Sequence, residues 1–181
     1  MIAIMWRRIT QEFAGGMLRR LKPSEPLFHS GDPVIHMFLI LEGQITLTRQ
    51  TGAGANVILQ RARSGQVLAE ASAYSPTYHC DAQAGAATSV RTIPVTLFRS
   101  KLAQDSNLSE AWASHLASEV QSARMLSEIR TLRTVGERLD AWLGEGRVLP
   151  KKGQWQDVAA QLGVTREALY RELGKRSSSD V

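Results

Sequence analysis

The strongest constraint in this sequence is a change of hydrophobic period at Pro94. From Pro26 to Pro94, short runs are separated by turn residues: Gly31-Asp32-Pro33, Glu42-Gly43, Gly52-Ala53-Gly54, Ser64-Gly65 and Ser75-Pro76. Ile45, Leu47 and Arg49 alternate with Thr46 and Thr48, and Val57 and Leu59 alternate with Asn56 and Ile58, a period close to two. Such a pattern predicts strands that bury one face. No helical crossover of about ten residues fits between them, which favours an antiparallel roll or sandwich over a parallel α/β sheet.

After Pro94 the period lengthens. From Leu97 to Leu143 there is no proline, and apolar residues recur in steps of three and four at Leu108, Trp112, Leu116, Val120, Ala123, Leu126 and Ile129. At 1.5 Å per residue, a helix from about Ser109 to Arg133 spans roughly 37 Å, more than one small roll covers. A helix lying across its own roll explains the first two turns but not the last four, so the stripe is expected to meet a second chain. Val135, Leu139, Trp142 and Leu143 begin another amphipathic helix closed by Gly144 and Gly146, which predicts a smaller domain from about residue 134. The expected organisation is α+β: an antiparallel β-roll of the jelly-roll type with flanking helices over 1–107, a long helix over 108–133, and a small helical domain over 134–181.

Composition narrows the function. The chain has 181 residues, 43% of them apolar and 22% charged, an ordinary globular balance. Its longest apolar runs, Met1–Trp6 and Met37–Leu41, are far short of the ~20 residues of a membrane helix. The amino-terminal stretch lacks the order of a secretory leader, so a cytoplasmic protein without a membrane partner is expected. The formal charge of +5 sits at the two ends, with a slightly acidic middle, a distribution compatible with nucleic-acid contact. One cysteine, Cys80, rules out an internal disulfide framework and a four-cysteine iron–sulfur cluster on one chain.

Residues 155–174 carry the most information. Ala159 is small where two helices cross closely, Gly163 follows four residues later where the chain must turn with φ above zero, and Val158, Leu162, Val164 and Leu169 form a buried wedge. Thr165 is placed to cap the second helix. Arg166, Glu167, Tyr170 and Arg171 then fall in its first two turns, the part of a helix-turn-helix that faces base edges in the major groove of double-stranded DNA. Arginine's planar fork matches the acceptors of guanine, and a glutamate accepts from the cytosine amino group. Thr165, and Gln156 on the first helix of the motif, complete the candidate DNA-facing set.

Three stretches resemble the CRP/FNR family of bacterial transcription regulators. Leu27-Phe28-His29-Ser30-Gly31-Asp32-Pro33 with Leu39-Ile40-Leu41-Glu42-Gly43 is similar to the opening strands of its effector-binding roll. Gly65-Gln66-Val67-Leu68-Ala69-Glu70 resembles its cyclic-nucleotide cassette, and Val164-Thr165-Arg166-Glu167-Ala168-Leu169-Tyr170-Arg171 its recognition helix. The resemblance implies base contacts by Arg166, Glu167 and Arg171, a parallel homodimer through the long helix, an unidentified small-molecule effector, and RNA polymerase as a candidate partner.

The departures bear on the effector. Nucleotide-binding members have Gly-Glu-x-x-Gly-Glu with an Arg-Ser/Thr pair beginning ten residues after the second Glu. Here Ala69 replaces the second Gly, and Cys80-Asp81 replace the pair. Glu70, Ala69, Cys80 and Asp81 are the candidate effector pocket, but losing a cation and gaining a carboxylate disfavours a cyclic phosphate, so no cyclic nucleotide is expected there. Haem is not expected either, because His79 and Cys80 are strand neighbours that point to opposite faces. No metal or other cofactor is implied. Trp6, Trp112, Trp142 and Trp155 are expected to be core or domain-interface aromatics.

Gly174 is expected to end the recognition helix, and Lys175–Val181 is too short and polar for the family's two-stranded wing. Glu172 occupies a position that is usually apolar or small. A second class of function stays open, a signalling or protein-interaction module whose helix-turn-helix serves packing. Catalysis is not expected, since no motif joins a base, an orienter and an oxyanion site to Cys80 or to His29, His79 and His115.

Overall fold

The computed structural model describes residues 2–179. Its amino-terminal half holds helix α1 (Ile2–Gln11) and eight strands: β1 (Met17–Leu21), β2 (Pro26–Phe28), β3 (His36–Glu42), β4 (Gln44–Gln50), β5 (Asn56–Arg63), β6 (Val67–Leu68), β7 (Asp81–Ala84) and β8 (Thr88–Pro94). They form two four-stranded sheets, ordered β1-β8-β3-β6 and β2-β7-β4-β5, and every pairing is antiparallel. Ile45 and Leu47 of β4 and Ala82 and Ala84 of β7 are buried on one side of the roll. In β3, Met37, Phe38, Leu39 and Ile40 are all buried, because helix α2 (Val95–Gln104) adds Phe98 and Leu102 to the same core. Phe28 stacks on Tyr78 at 3.9 Å between ring centroids.

One turn shows why glycine is needed. Gly43 joins β3 to β4 at φ 87°, and a Cβ there would lie 2.4 Å from Thr88 Oγ1 and 2.5 Å from the Ala87 carbonyl. Both conformation and space exclude a side chain.

The expectation of one buried face fails in β5. Val57, Ile58 and Leu59 are all exposed, at 41–43%. The strand lies at the edge of its sheet, and the pairing shifts opposite Leu47 and Thr48, so the alternation loses its partner surface before Ala62 returns to the core.

Helix α3 (Ser106–Thr131) has 26 residues. The chain divides into two compact units, Met1–Leu116 and Ala117–Val181, and the division falls inside this helix. Leu108 and Trp112 are buried in the core of the first unit, with Leu116 against it. Ile129 is buried in the core of the second, with Met125 and Leu126 packed on it. The apolar stripe is therefore used largely within its own chain, and Val120, 49% exposed, with Ala123 is its open part. This narrows the surface that periodicity assigned to a second chain, since periodicity marks an apolar face without saying what covers it.

The second unit continues with α4 (Val135–Gly144), α5 (Trp155–Leu162) and α6 (Arg166–Ser179). Thr134 opens α4 with a capping box: its hydroxyl accepts from the Glu137 N–H, and Glu137 accepts from the Thr134 N–H. Leu139, Trp142, Val158, Ala159, Leu162 and Leu169 form this unit's core with Ile129. Among the described residues no strand follows β8.

Candidate nucleic-acid interface

Helices α5 and α6 meet as the residue types demand. Gly163 ends α5 at φ 65°, ψ 38°, and its N–H reaches the carbonyls of Ala159 and Ala160. Only glycine takes this left-handed geometry at little cost. Val158, Ala159, Leu162 and Leu169 are each at most 2% exposed and fix the crossing. Thr165 Oγ1 accepts from the Ala168 N–H at 3.2 Å, the capping bond expected of it.

The first two turns of α6 present Arg166, Glu167 and Arg171 to solvent, with Tyr170 half-buried between them. Arg166 lies over the Tyr170 ring, 5.1 Å from its centroid. Tyr170 in turn packs against Trp155 at 4.8 Å, and Trp155 Nε1 donates to the Pro150 carbonyl at 2.9 Å. The result is a ladder from the α5 amino terminus to Arg166. It holds a guanidinium along the exposed face by cation–π contact. Thr165 and Gln156 are exposed as well.

One expectation at the carboxyl end is corrected. Gly174 does not end the helix, which runs on to Ser179; Asp180 and Val181 lie outside the described residues. Arg176 donates to Asp140 Oδ1, to Glu172 Oε1 at 3.1 Å and to the Gly136 carbonyl at 3.2 Å, and these contacts hold the following turn in helix. They also account for Glu172, which is placed beside α4 where Gly136 has no side chain: a Cβ there would lie 3.0 Å from Glu172 Oε1.

In the roll, Ala69 occupies the left-handed region at φ 68°, ψ 18°, the conformation a glycine would favour, and starts the 3-10 turn Glu70–Ser72. Cys80 is 3% exposed. Burial pushes its thiol up, and the charges of Asp81 and Glu70 add to the shift while Arg49 opposes it. Asp81 does not join this group. Its Oδ1 accepts from the Ser30 N–H at 3.0 Å and lies 3.4 Å from His29 Nδ1, because β7 starts at Asp81 and its inner face is taken by Ala82 and Ala84. His79 is exposed, with Nδ1 3.1 Å from Ser72 Oγ. Among the described residues no group of three His, Cys, Asp or Glu is gathered as a metal site.

Sequence reasoning missed the polar side chains that tie the second unit together: Arg130, Arg138, Arg147 and Gln161. All bond to backbone or side chains distant in sequence, and periodicity carries no signal for such partners.

The architecture is thus a roll of two antiparallel sheets, then a long helix, then a helix-turn-helix. Residues 18–105 match the cyclic nucleotide-binding domain. The global nitrogen regulator of Synechocystis sp. is 24% identical over 96% of this chain and 83% of its own length, and that of Nostoc sp. is 22% identical over 96% and 84%. Among solved structures, FixK2 from Bradyrhizobium japonicum superposes with a TM-score of 0.72 at 19% identity, covering 92% of this chain and 86% of that one. The c-di-GMP responsive global regulator CLP from Xanthomonas campestris gives 0.66 at 18% identity, covering 96% and 92%. The likeness to the global nitrogen regulators and to these solved structures therefore extends over nearly the whole chain.

Proposed function

We propose that the chain is a homodimeric transcription regulator that reads a dyad-symmetric DNA site through paired α6 helices. The carrying observation is the exposure of Arg166, Glu167 and Arg171 together on the first two turns of a capped, buttressed second helix. Two such helices would address half-sites about 34 Å apart. RNA polymerase is the partner that activation would require. Catalysis forms no part of the reading, and the relatives named above are regulators.

The roll, in this reading, does not hold a cyclic nucleotide. Where a clamp would need a cation, the inner face carries the buried, protonated Cys80, with Glu70 among the charges that act on it. Any effector is of another chemistry. No helix among the described residues is long and apolar enough to cross a membrane, and a cytoplasmic location fits a DNA partner.

The test is selection of random duplexes by the purified protein, read by fluorescence anisotropy at two salt concentrations. Salt separates phosphate attraction from base reading. An enriched dyad-symmetric site, weakened by ~1–3 kcal/mol in Arg166→Ala or Arg171→Ala, is the expected result. Salt-sensitive binding equal in wild type and both variants would overturn the reading and favour an interaction module.

A further inference from the structure

Two arginines outside the recognition helix converge on the carboxyl end of α5. Arg130 of α3 donates from Nε to the Gln161 carbonyl at 3.1 Å and from Nη2 to the Ala160 carbonyl at 3.2 Å. Arg138 of α4 donates from Nη1 to the Leu162 and Gly163 carbonyls at 3.1 and 3.2 Å, and from Nε to the Leu132 carbonyl at 2.9 Å. The last carbonyls of a helix lack partners within it and carry the negative end of its dipole. Here two guanidiniums cover four successive ones.

The same network reaches further along α3. Arg147 donates to Gln161 Oε1 at 2.8 Å and to Ser122 Oγ at 3.1 Å, and Trp142 Nε1 donates to that Gln161 oxygen at 2.9 Å. Gly163 makes room for the clasp, since a Cβ there would lie 3.2 Å from Arg130 Cγ. Bonds thus run from α3, across the joint at Leu132, to the turn from which α6 departs. All of these residues lie in one compact unit.

We propose that Arg130 and Arg138 are positioning residues for DNA reading: they clasp the α5–α6 turn to the end of the long helix and fix the direction in which α6 leaves it. The inference rests on the DNA-reading function proposed above. In a dimer joined through α3, that direction sets the spacing between the two half-sites. An unclasped turn still presents Arg166, Glu167 and Arg171 to a single half-site, but the pair loses its fixed separation.

The experiment measures binding of the full chain to one half-site, to the selected palindrome, and to palindromes lengthened or shortened by one or two base pairs. Wild type is compared with Arg130→Ala, Arg130→Lys, Arg138→Lys and, as a base-contact control, Arg171→Ala. The wild type should prefer the selected palindrome over a single half-site by ~10²–10⁴-fold, the gain from engaging two sites at once. The three clasp variants should lose at least about tenfold of that preference and bind altered spacings nearly as well, with half-site affinity and far-ultraviolet circular dichroism unchanged. Lysine keeps the charge but not the planar fork, so full recovery in Arg130→Lys would show a phosphate contact instead and overturn the proposal. Unchanged spacing preference in the variants overturns it, and so does equal loss on half-site and palindrome. A wild type with no palindrome preference overturns the DNA-reading function itself, which separates the two failures.

Discussion

Gly163 meets two demands at once, a left-handed backbone and the passage of the Arg130 stem. Gly163→Ala should therefore destabilise the second unit by about 1–2 kcal/mol, seen as a lower urea midpoint with an unchanged slope; an unchanged midpoint would contradict the strained geometry. Cys80 is governed by burial instead. Its raised thiol pKa leaves less thiolate near neutrality than a free cysteine has, so reaction with a disulfide reagent at about pH 8 should be slower than that of free cysteine and climb as pH rises beyond the ordinary thiol value. A rate equal to free cysteine would show that the thiol is accessible. The sign of the stability effect follows: a group whose folded pKa is raised keeps its contribution below the unfolded pKa and loses it as pH rises through the folded one. Cys80 and Tyr78, both raised chiefly by burial, should thus weaken the roll on the alkaline side. At this scale the shared exposure of Arg166, Glu167 and Arg171 was legible because a helix-turn-helix fixes spacing residue by residue. The contacts of Asp81 with Ser30 and His29 join residues about fifty positions apart and had no local signal.

Among the elements, α4 depends on its capping box. Thr134→Ala should cost ~1 kcal/mol in urea unfolding of the second unit, and no loss would deny the cap a role. The pKa of Glu137 is lowered mainly by the Thr134 N–H, so its contribution is present above the ordinary carboxylate range and fades as pH falls through the lowered folded value. Thr134→Ala keeps that N–H, so the acid-side fade should largely persist, with only the smaller share owed to the hydroxyl lost. The end of α6 depends on Arg176 and its partners on α4. Asp140→Ala should speed amide hydrogen exchange over residues 173–179 while leaving Leu162 and Leu169 protected, with a global cost of no more than ~1 kcal/mol. Equal exchange in both forms would mean that the last turns stand without the ion pair. Stopping this helix at Gly174 was reasonable by propensity, since glycine costs ~1 kcal/mol inside a helix. The Asp140 and Gly136 contacts that offset the cost come from about forty residues away, beyond any local pattern.

For the whole molecule, α3 is shared between two cores, and Val120 stays exposed between them. If α3 joins two copies, Val120→Glu should shift sedimentation from dimer to monomer while preserving far-ultraviolet circular dichroism; a persisting dimer would place the interface elsewhere. What the sequence determined on its own was the class of most segments and the position of the helix-turn-helix. The period-two run before Pro94, the three-and-four steps after it, and Ala159-x-x-x-Gly163 are properties of neighbours along the chain, and local backbone geometry turns them into strands, helices and a tight turn. Only the tertiary structure decided which surfaces are covered and which polar groups meet. It buried Ile129 and packed Leu126 in their own domain, left β5 bare at a sheet edge, turned Asp81 toward Ser30 and His29, and drew Arg130 and Arg138 onto one helix end. Those outcomes depend on contacts between residues far apart in sequence, where burial and hydrogen-bond partners are set by three-dimensional proximity and not by periodicity.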